Sequence, residues 1–124
     1  MLESISKQLV DSAIKVHTAL GPGLLEGVYE VCLAHELDKR GMRVERQVSL
    51  PIVYHGVKLD AGCRLDLVID RRVVVELKAV EKVLPLHEAQ LLSYLKLGDY
   101  RLGFLLNFNV MRMKDGIRRR VNNL

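Results

Sequence analysis

The hydrophobic pattern of the chain changes period twice. Over the first twenty residues Ile5, Leu9, Ala13, Val16 and Leu20 recur at helical spacing, which predicts an amphipathic helix over Glu3–Leu20 with a polar outer face. Gly21-Pro22-Gly23 ends it, because Gly21 can adopt the left-handed conformation that closes a helix and Pro22 forbids continuation while suiting a new start. A second helix is expected over about Leu24–Arg40. Its apolar positions fall on two stripes, Leu25, Val28 and Cys32 and then Tyr29, Leu33 and Leu37, so burial on more than one side is expected before Gly41 stops it.

From Met42 the period becomes two. RVERQVSLPIVYHG alternates roughly, with Pro51 placing it at a sheet edge or a bend. RLDLVID and VVVELKAV, separated by Asp70-Arg71-Arg72, read as a hairpin. After Pro85 the segment LHEAQLLSYLKLG is helical and stops at glycine, and RLGFLLNFNV is apolar on both faces, as a strand covered on both sides would be. A short strand is expected in the basic segment after Lys114-Asp115-Gly116. The predicted order is α, α, β, β, β, α, β, β, without linker or repeat, which reads as one α/β domain over 1–124.

With 49% hydrophobic and 27% charged residues, the chain has the composition of an ordered globular protein, and 124 residues suffice for one core. The first fifteen residues lack the apolar run of a signal peptide and no later run reaches membrane-spanning length, so a cytoplasmic location and no membrane partner are expected. Cys32 and Cys63 have neither C-x-x-C spacing nor partners enough for a zinc site and read as free thiols used in packing. Nineteen Lys and Arg against 15 Asp and Glu give a net charge of +4, with Arg118, Arg119 and Arg120 clustered near the C-terminus. That balance suits a polyanion and also suits many proteins without one.

The informative feature is a pair of charges in a strand otherwise suited to burial. In VVVELKAV, Glu76 and Lys78 share a face with Val74, while Val73, Val75, Leu77 and Ala79 take the other. In RLDLVID, Asp66 shares a face with Arg64, Val68 and Asp70. If the hairpin loop is the odd-length Asp70–Arg72, Asp66 falls opposite Glu76 and Arg64 opposite Lys78. Two opposed carboxylates repel, so a structural hairpin would avoid the pair unless Arg64 and Lys78 neutralise it or a hard divalent cation lies between. Gln90 and Tyr94 share a face of the third helix, with His87 one turn earlier. An exposed polar stripe would account for Gln90 more readily than for Tyr94. Glu26 begins the second helix, where the helix dipole alone favours it.

Asp66 followed by Glu76-x-Lys78 on the next strand resembles the signature of the PD-(D/E)XK nuclease superfamily, and Gln90-x-x-x-Tyr94 is similar to a motif of its RecB-like branch. Gly23-x-x-Glu26-x-x-Tyr29 resembles the name-giving motif of the bacterial GxxExxY proteins. VHTALGPGLLEGVYE, RLDLVID, VVVELKAV, LHEAQLLSYL and LGFLLNFNV resemble that family's blocks in the same order over nearly the whole chain. Departures are the missing proline before Asp66 and Cys63 where an aromatic is expected.

The resemblance implies a restriction-endonuclease-like core, a mixed central sheet flanked by helices, and hydrolysis of DNA phosphodiesters with Mg²⁺ or Mn²⁺. It implies that Asp66, Glu76 and the main-chain carbonyl of Leu77 ligate the metal, with Glu26 completing or supporting the site. Lys78 would hold or activate the attacking water, and Gln90 and Tyr94 would orient the lysine, the water or a phosphate. His17 is the candidate for an early-helix histidine ligand, although the dipole at a helix C-terminus also favours a histidine there. Arg118, Arg119 and Arg120 are expected to contact DNA, and a homodimer is expected to extend so small a substrate surface. Two other classes stay open: a catalytically silent nucleic-acid-binding or assembly subunit, and a small scaffold whose polar patch is only a solvated face.

Overall fold

The computed structural model describes residues 1–124. Two helices, α1 (Leu2–Leu20) and α2 (Glu26–Lys39), precede the strands β1 (Val44–Ser49), β2 (Ile52–Tyr54), β3 (Val57–Leu59), β4 (Arg64–Ile69) and β5 (Val73–Lys78). Helix α3 (Pro85–Gly98), β6 (Leu102–Asn107), a 3-10 turn (Met113–Gly116) and β7 (Ile117–Val121) complete the chain. No helix is long and apolar enough to cross a membrane.

Five strands form one mixed sheet in the order β1-β4-β5-β6-β7. Only β5 and β6 run parallel, and α3 supplies the crossover that a parallel pair requires. Strand parity then builds three layers. Leu67, Ile69, Val73, Val75, Leu77, Phe104 and Leu106 meet Ile5, Leu9, Ala13 and Val16 of α1 and Tyr29, Leu33 and Leu37 of α2. On the opposite face Val68, Val74 and Leu105 meet Leu91 and Leu95 of α3. Every residue of β6 is buried, as a strand apolar on both faces should be. The α/β class and the flanked mixed sheet expected from the sequence are both present.

Local details depart from the expectations. Pro51 follows β1, an edge strand as expected, but Ile52–Leu59 folds back on itself as a separate β2–β3 hairpin instead of continuing it. The two-residue turn of that hairpin, His55-Gly56, has positive φ at both positions and was legible only as an unassigned continuation of alternation. Helix α2 begins at Glu26, not Leu24, and is buried on one side only. Leu25 is 80% and Val28 41% exposed, because the core covers the Tyr29, Leu33, Leu37 stripe and of the other stripe only Cys32 packs against it. Gly21 has φ +70° with ψ −178°, a conformation open only to glycine but distinct from the left-handed helical one expected.

The 3-10 turn packs closely on the end of β6: a Cβ on Gly116 would lie 2.0 Å from the carbonyl oxygen of Asn107. Gly116→Ala is therefore expected to lower stability by about 2 kcal/mol. Gly27, inside α2 with no atom within 4 Å of a Cβ, should gain about 0.5 kcal/mol on the same change. Urea-unfolding midpoints of the two variants check the opposite signs.

Candidate active site

The ladder between β4 and β5 stops at Leu67↔Val75, one pair short of Asp66 and Glu76. The register continued by one step sets these two directly opposite, across the three-residue Asp70–Arg72 turn that Asp70 and Arg71 make possible with φ of 50° and 55°. In place of ladder bonds, the side chains reach across the gap. The Asp66 N–H donates to Glu76 Oε2 at 3.0 Å, and the Leu77 N–H donates to Asp66 Oδ2 at 2.8 Å. Each carboxylate thus satisfies a backbone donor on the neighbouring strand, and the strands separate without leaving it unpaired.

Both carboxylates lie above their ordinary range. Glu76, 5% exposed, is pushed up to about 8, first by burial and then by the charge of Asp66, against the lowering effects of the Asp66 N–H and Lys78. Asp66 is raised by burial and by Glu30, and lowered by the Leu77 N–H, Gln47 and Lys78. Glu26 is raised by burial and by Asp66, and lowered by Lys78. These mutual influences bring Glu26, Asp66, Glu76 and Lys78 into one electrostatic neighbourhood. Lys78 nevertheless forms no close ion pair with any of the three. Arg64 does not neutralise the pair either: its guanidinium turns to Ser49 Oγ, the Cys63 carbonyl and Asp60.

The elements around the pair fix it from several directions. Tyr29 explains its spacing from Glu26. Its hydroxyl donates to the Gly21 carbonyl at 2.6 Å and accepts from the Leu24 N–H at 3.1 Å, and its ring stacks on Phe108 at 4.5 Å. The loop that launches Glu26 is thereby pinned to the core. Tyr94 approaches from α3. Burial, the Cys63 thiol and the charges of Glu76 and Asp66 push its hydroxyl up to about 12. Gln90, one turn earlier, is exposed and makes no side-chain hydrogen bond. At the end of β5 the buried Asn107 brackets Val80, accepting from its N–H at 3.1 Å and donating to its carbonyl at 2.9 Å. The chain beyond Lys78 is held by that clamp.

Other expected residues are engaged elsewhere. His17 Nε2 donates to the Val110 carbonyl at 2.7 Å, tying α1 to the segment after β6, and the histidine influences none of the raised carboxylates. His87 Nδ1 accepts from the Leu84 N–H and caps α3. Arg118, Arg119 and Arg120 do not form a single cluster, because strand alternation divides them. Arg118 and Arg120 pair in register with Leu105 and Gly103 on the α3 face, while Arg119 pairs with Phe104 on the α1 face. Arg120 is also ion-paired with Glu88. Two residues near the site were not anticipated, Glu30 and Gln47, although Glu30 follows Glu26 by one helical turn and so shares its face.

No three or more His, Cys, Asp or Glu side chains stand together in a metal-holding arrangement. The family model of the PD-(D/E)XK nuclease superfamily matches residues 3–120. The chain belongs to the PD-(D/E)XK nuclease superfamily. No curated protein and no solved structure matches it. Nucleases of the PD-(D/E)XK superfamily hydrolyse phosphodiesters and typically use divalent metals, which directs attention to the hard oxygen donors of the splayed strands.

The raised carboxyl of Glu76 has a consequence for this PD-(D/E)XK chain without metal. Between 4.5 in the unfolded chain and about 8 in the folded one, the native state retains a proton that the unfolded state has lost. Its stability contribution is therefore complete below the lower value and is lost as pH rises through the upper. In EDTA, denaturant-measured stability is expected to fall by on the order of 4 kcal/mol between pH 5 and pH 8.5, and Glu76→Gln should flatten that slope.

Proposed function

We propose that the chain is a metal-dependent nuclease that hydrolyses phosphodiester bonds of DNA. The observation that carries this reading is the exchange around Asp66 and Glu76, a half-buried and a buried carboxylate that repel each other at a break in the sheet, with Lys78 and Glu26 beside them. The donor set fits Mg²⁺ or Mn²⁺, since it consists of hard oxygens whose repulsion a cation would relieve. Asp66, Glu76 and the Leu77 carbonyl would hold the ion, with Glu26 alongside. When bound, the ion would polarise the scissile phosphate and lower the pKa of a water molecule.

The protein's own groups have separable tasks. The Lys78 ammonium stabilises negative charge building on the phosphoryl oxygens and orients the attacking water. Tyr94 keeps its proton across the working pH range, accepting a hydrogen bond from the lysine or donating one to the water or a phosphate. Gln90, exposed one turn away, is free to contact the substrate backbone. Burial of Glu76 on a rigid strand between two cores places these groups within narrow limits. The likeness of Gly23-x-x-Glu26-x-x-Tyr29 to the GxxExxY proteins, and of Gln90-x-x-x-Tyr94 to the RecB-like branch, supports the same assignment.

A second reading, a catalytically silent nucleic-acid-binding or assembly subunit, is favoured by one feature: each carboxylate already accepts a backbone N–H. Incubating labelled single- and double-stranded DNA with the purified protein in Mn²⁺, Mg²⁺ or EDTA separates the two. Cleavage is expected only with the cation, and Asp66→Asn, Glu76→Gln and Lys78→Ala should each reduce it about a hundredfold or more. DNA that is bound but never cut would establish the silent subunit instead.

The basic residues enter as a distributed surface, extended in the proposed homodimer. Neutralising Arg118, Arg119 and Arg120 together should weaken DNA binding equally for unrelated sequences and make its salt dependence shallower. Because Arg119 faces away from the other two, the Arg118 and Arg120 pair and Arg119 alone should not have equal effects. Titrations over a salt series measure both.

A further inference from the structure

Behind Asp66 stands a second line of polar residues. Glu30 lies on α2 and is 7% exposed. Both its oxygens are engaged: Oε1 accepts from Gln47 Nε2 at 2.8 Å, while Oε2 accepts from Arg46 Nε at 3.1 Å and pairs with its Nη2 at 3.1 Å. The same Gln47 nitrogen donates, more distantly, to Asp66 Oδ1 at 3.4 Å. An amide nitrogen with two hydrogens therefore stands between two carboxylates and satisfies one oxygen of each.

The backbone supports the arrangement at some strain. Gln47 lies opposite Asp66 in the β1–β4 register, and the ladder skips this one position between Arg46↔Leu67 and Val48↔Leu65. Its φ is +51°, a left-handed conformation that a glutamine seldom adopts without being held there. The distortion aims the side chain at Glu30 and Asp66. With Oδ1 facing Gln47 and Oδ2 accepting from the Leu77 N–H, the Asp66 carboxylate is contacted on both oxygens and cannot turn freely.

We infer that Gln47, anchored by the buried Glu30 and its partner Arg46, is a positioning residue that fixes the rotation of the Asp66 carboxylate and so sets the affinity of the Asp66–Glu76 pair for a divalent cation. The inference rests on the reading of that pair as cation ligands. It departs from a merely structural role in the sign of one effect. A hydrogen bond kept for stability should cost stability when removed, whereas replacing Gln47 by glycine also relieves the left-handed φ.

The test is calorimetric titration of Mn²⁺ into wild type, Gln47→Gly, Glu30→Gln and the double variant, with thermal unfolding of each in EDTA. Gln47→Gly is expected to unfold at the same or a higher temperature than wild type yet bind Mn²⁺ about tenfold more weakly, the loss typical of a supporting residue behind a ligand. Glu30→Gln should lose a similar factor, because it sets an amide donor against the Gln47 amide. The double variant should bind no more weakly than the weaker single variant, since the two residues act in series. Unchanged Mn²⁺ affinity in Gln47→Gly, with or without a loss of stability, overturns the inference. Additive losses in the double variant overturn the relay through Gln47. A wild-type protein that takes up no Mn²⁺ overturns the cation reading itself, and the positioning role with it.

Discussion

The structure turns on one exchange of hydrogen bonds, in which carboxylates replace main-chain carbonyls as acceptors between β4 and β5. A sheet cannot open in its middle without orphaning backbone donors, each costing about 1–3 kcal/mol when buried. Here Glu76 takes the Asp66 N–H and Asp66 takes the Leu77 N–H, so the opening leaves neither donor bare. What the exchange does not relieve is the closeness of two acids in a poorly solvated gap. That cost falls on the stability of the chain at alkaline pH and is borne by the cores above and below.

Those cores also explain why the surrounding groups converge. The α1–α2 layer anchors Tyr29, which pins the glycine loop and sets Glu26 at the first residue of a helix, where the dipole favours a negative charge. The α3 layer anchors Leu91 and Leu95, and Tyr94, beside Leu95, is carried to the opposite side of the same gap. Glu26 and Tyr94 thus come from different layers, distant in sequence, and each feels the charge of Asp66 at the splayed strands.

Much of this was legible in the sequence for identifiable reasons. Helical stripes and alternating strands follow from apolar spacing, and an odd turn length is enough to set Asp66 against Glu76. The superfamily was legible in Asp66 followed by Glu76-x-Lys78 on the next strand. Other features depend on information that spacing does not carry. Whether Val28 and Val31 are covered depends on which stripe of α2 the sheet selects, and the left-handed Gln47 breaks the alternation from which its side-chain direction would be read. Glu30 resembled any surface glutamate until the residues packed over it were known. The division of Arg118, Arg119 and Arg120 between two faces, by contrast, was implicit in the expected strand, and reading them as a cluster neglected that parity.

The Asp70–Arg72 turn, remote from any chemistry, carries a further consequence. Its Asp70 holds the Arg43 N–H and its left-handed Asp70 and Arg71 close the chain in three residues, which sets Ile69 opposite Val73 and so fixes which residue of β5 meets each residue of β4. If β5 slipped by one residue against β4, Val73, Val75 and Leu77 would turn toward α3 and Glu76 would enter the apolar layer beneath α1 and α2, inverting the strand while leaving its composition untouched. The turn is therefore a register lock: a change in its length is tolerated only where the loop itself absorbs it and Ile69 stays opposite Val73.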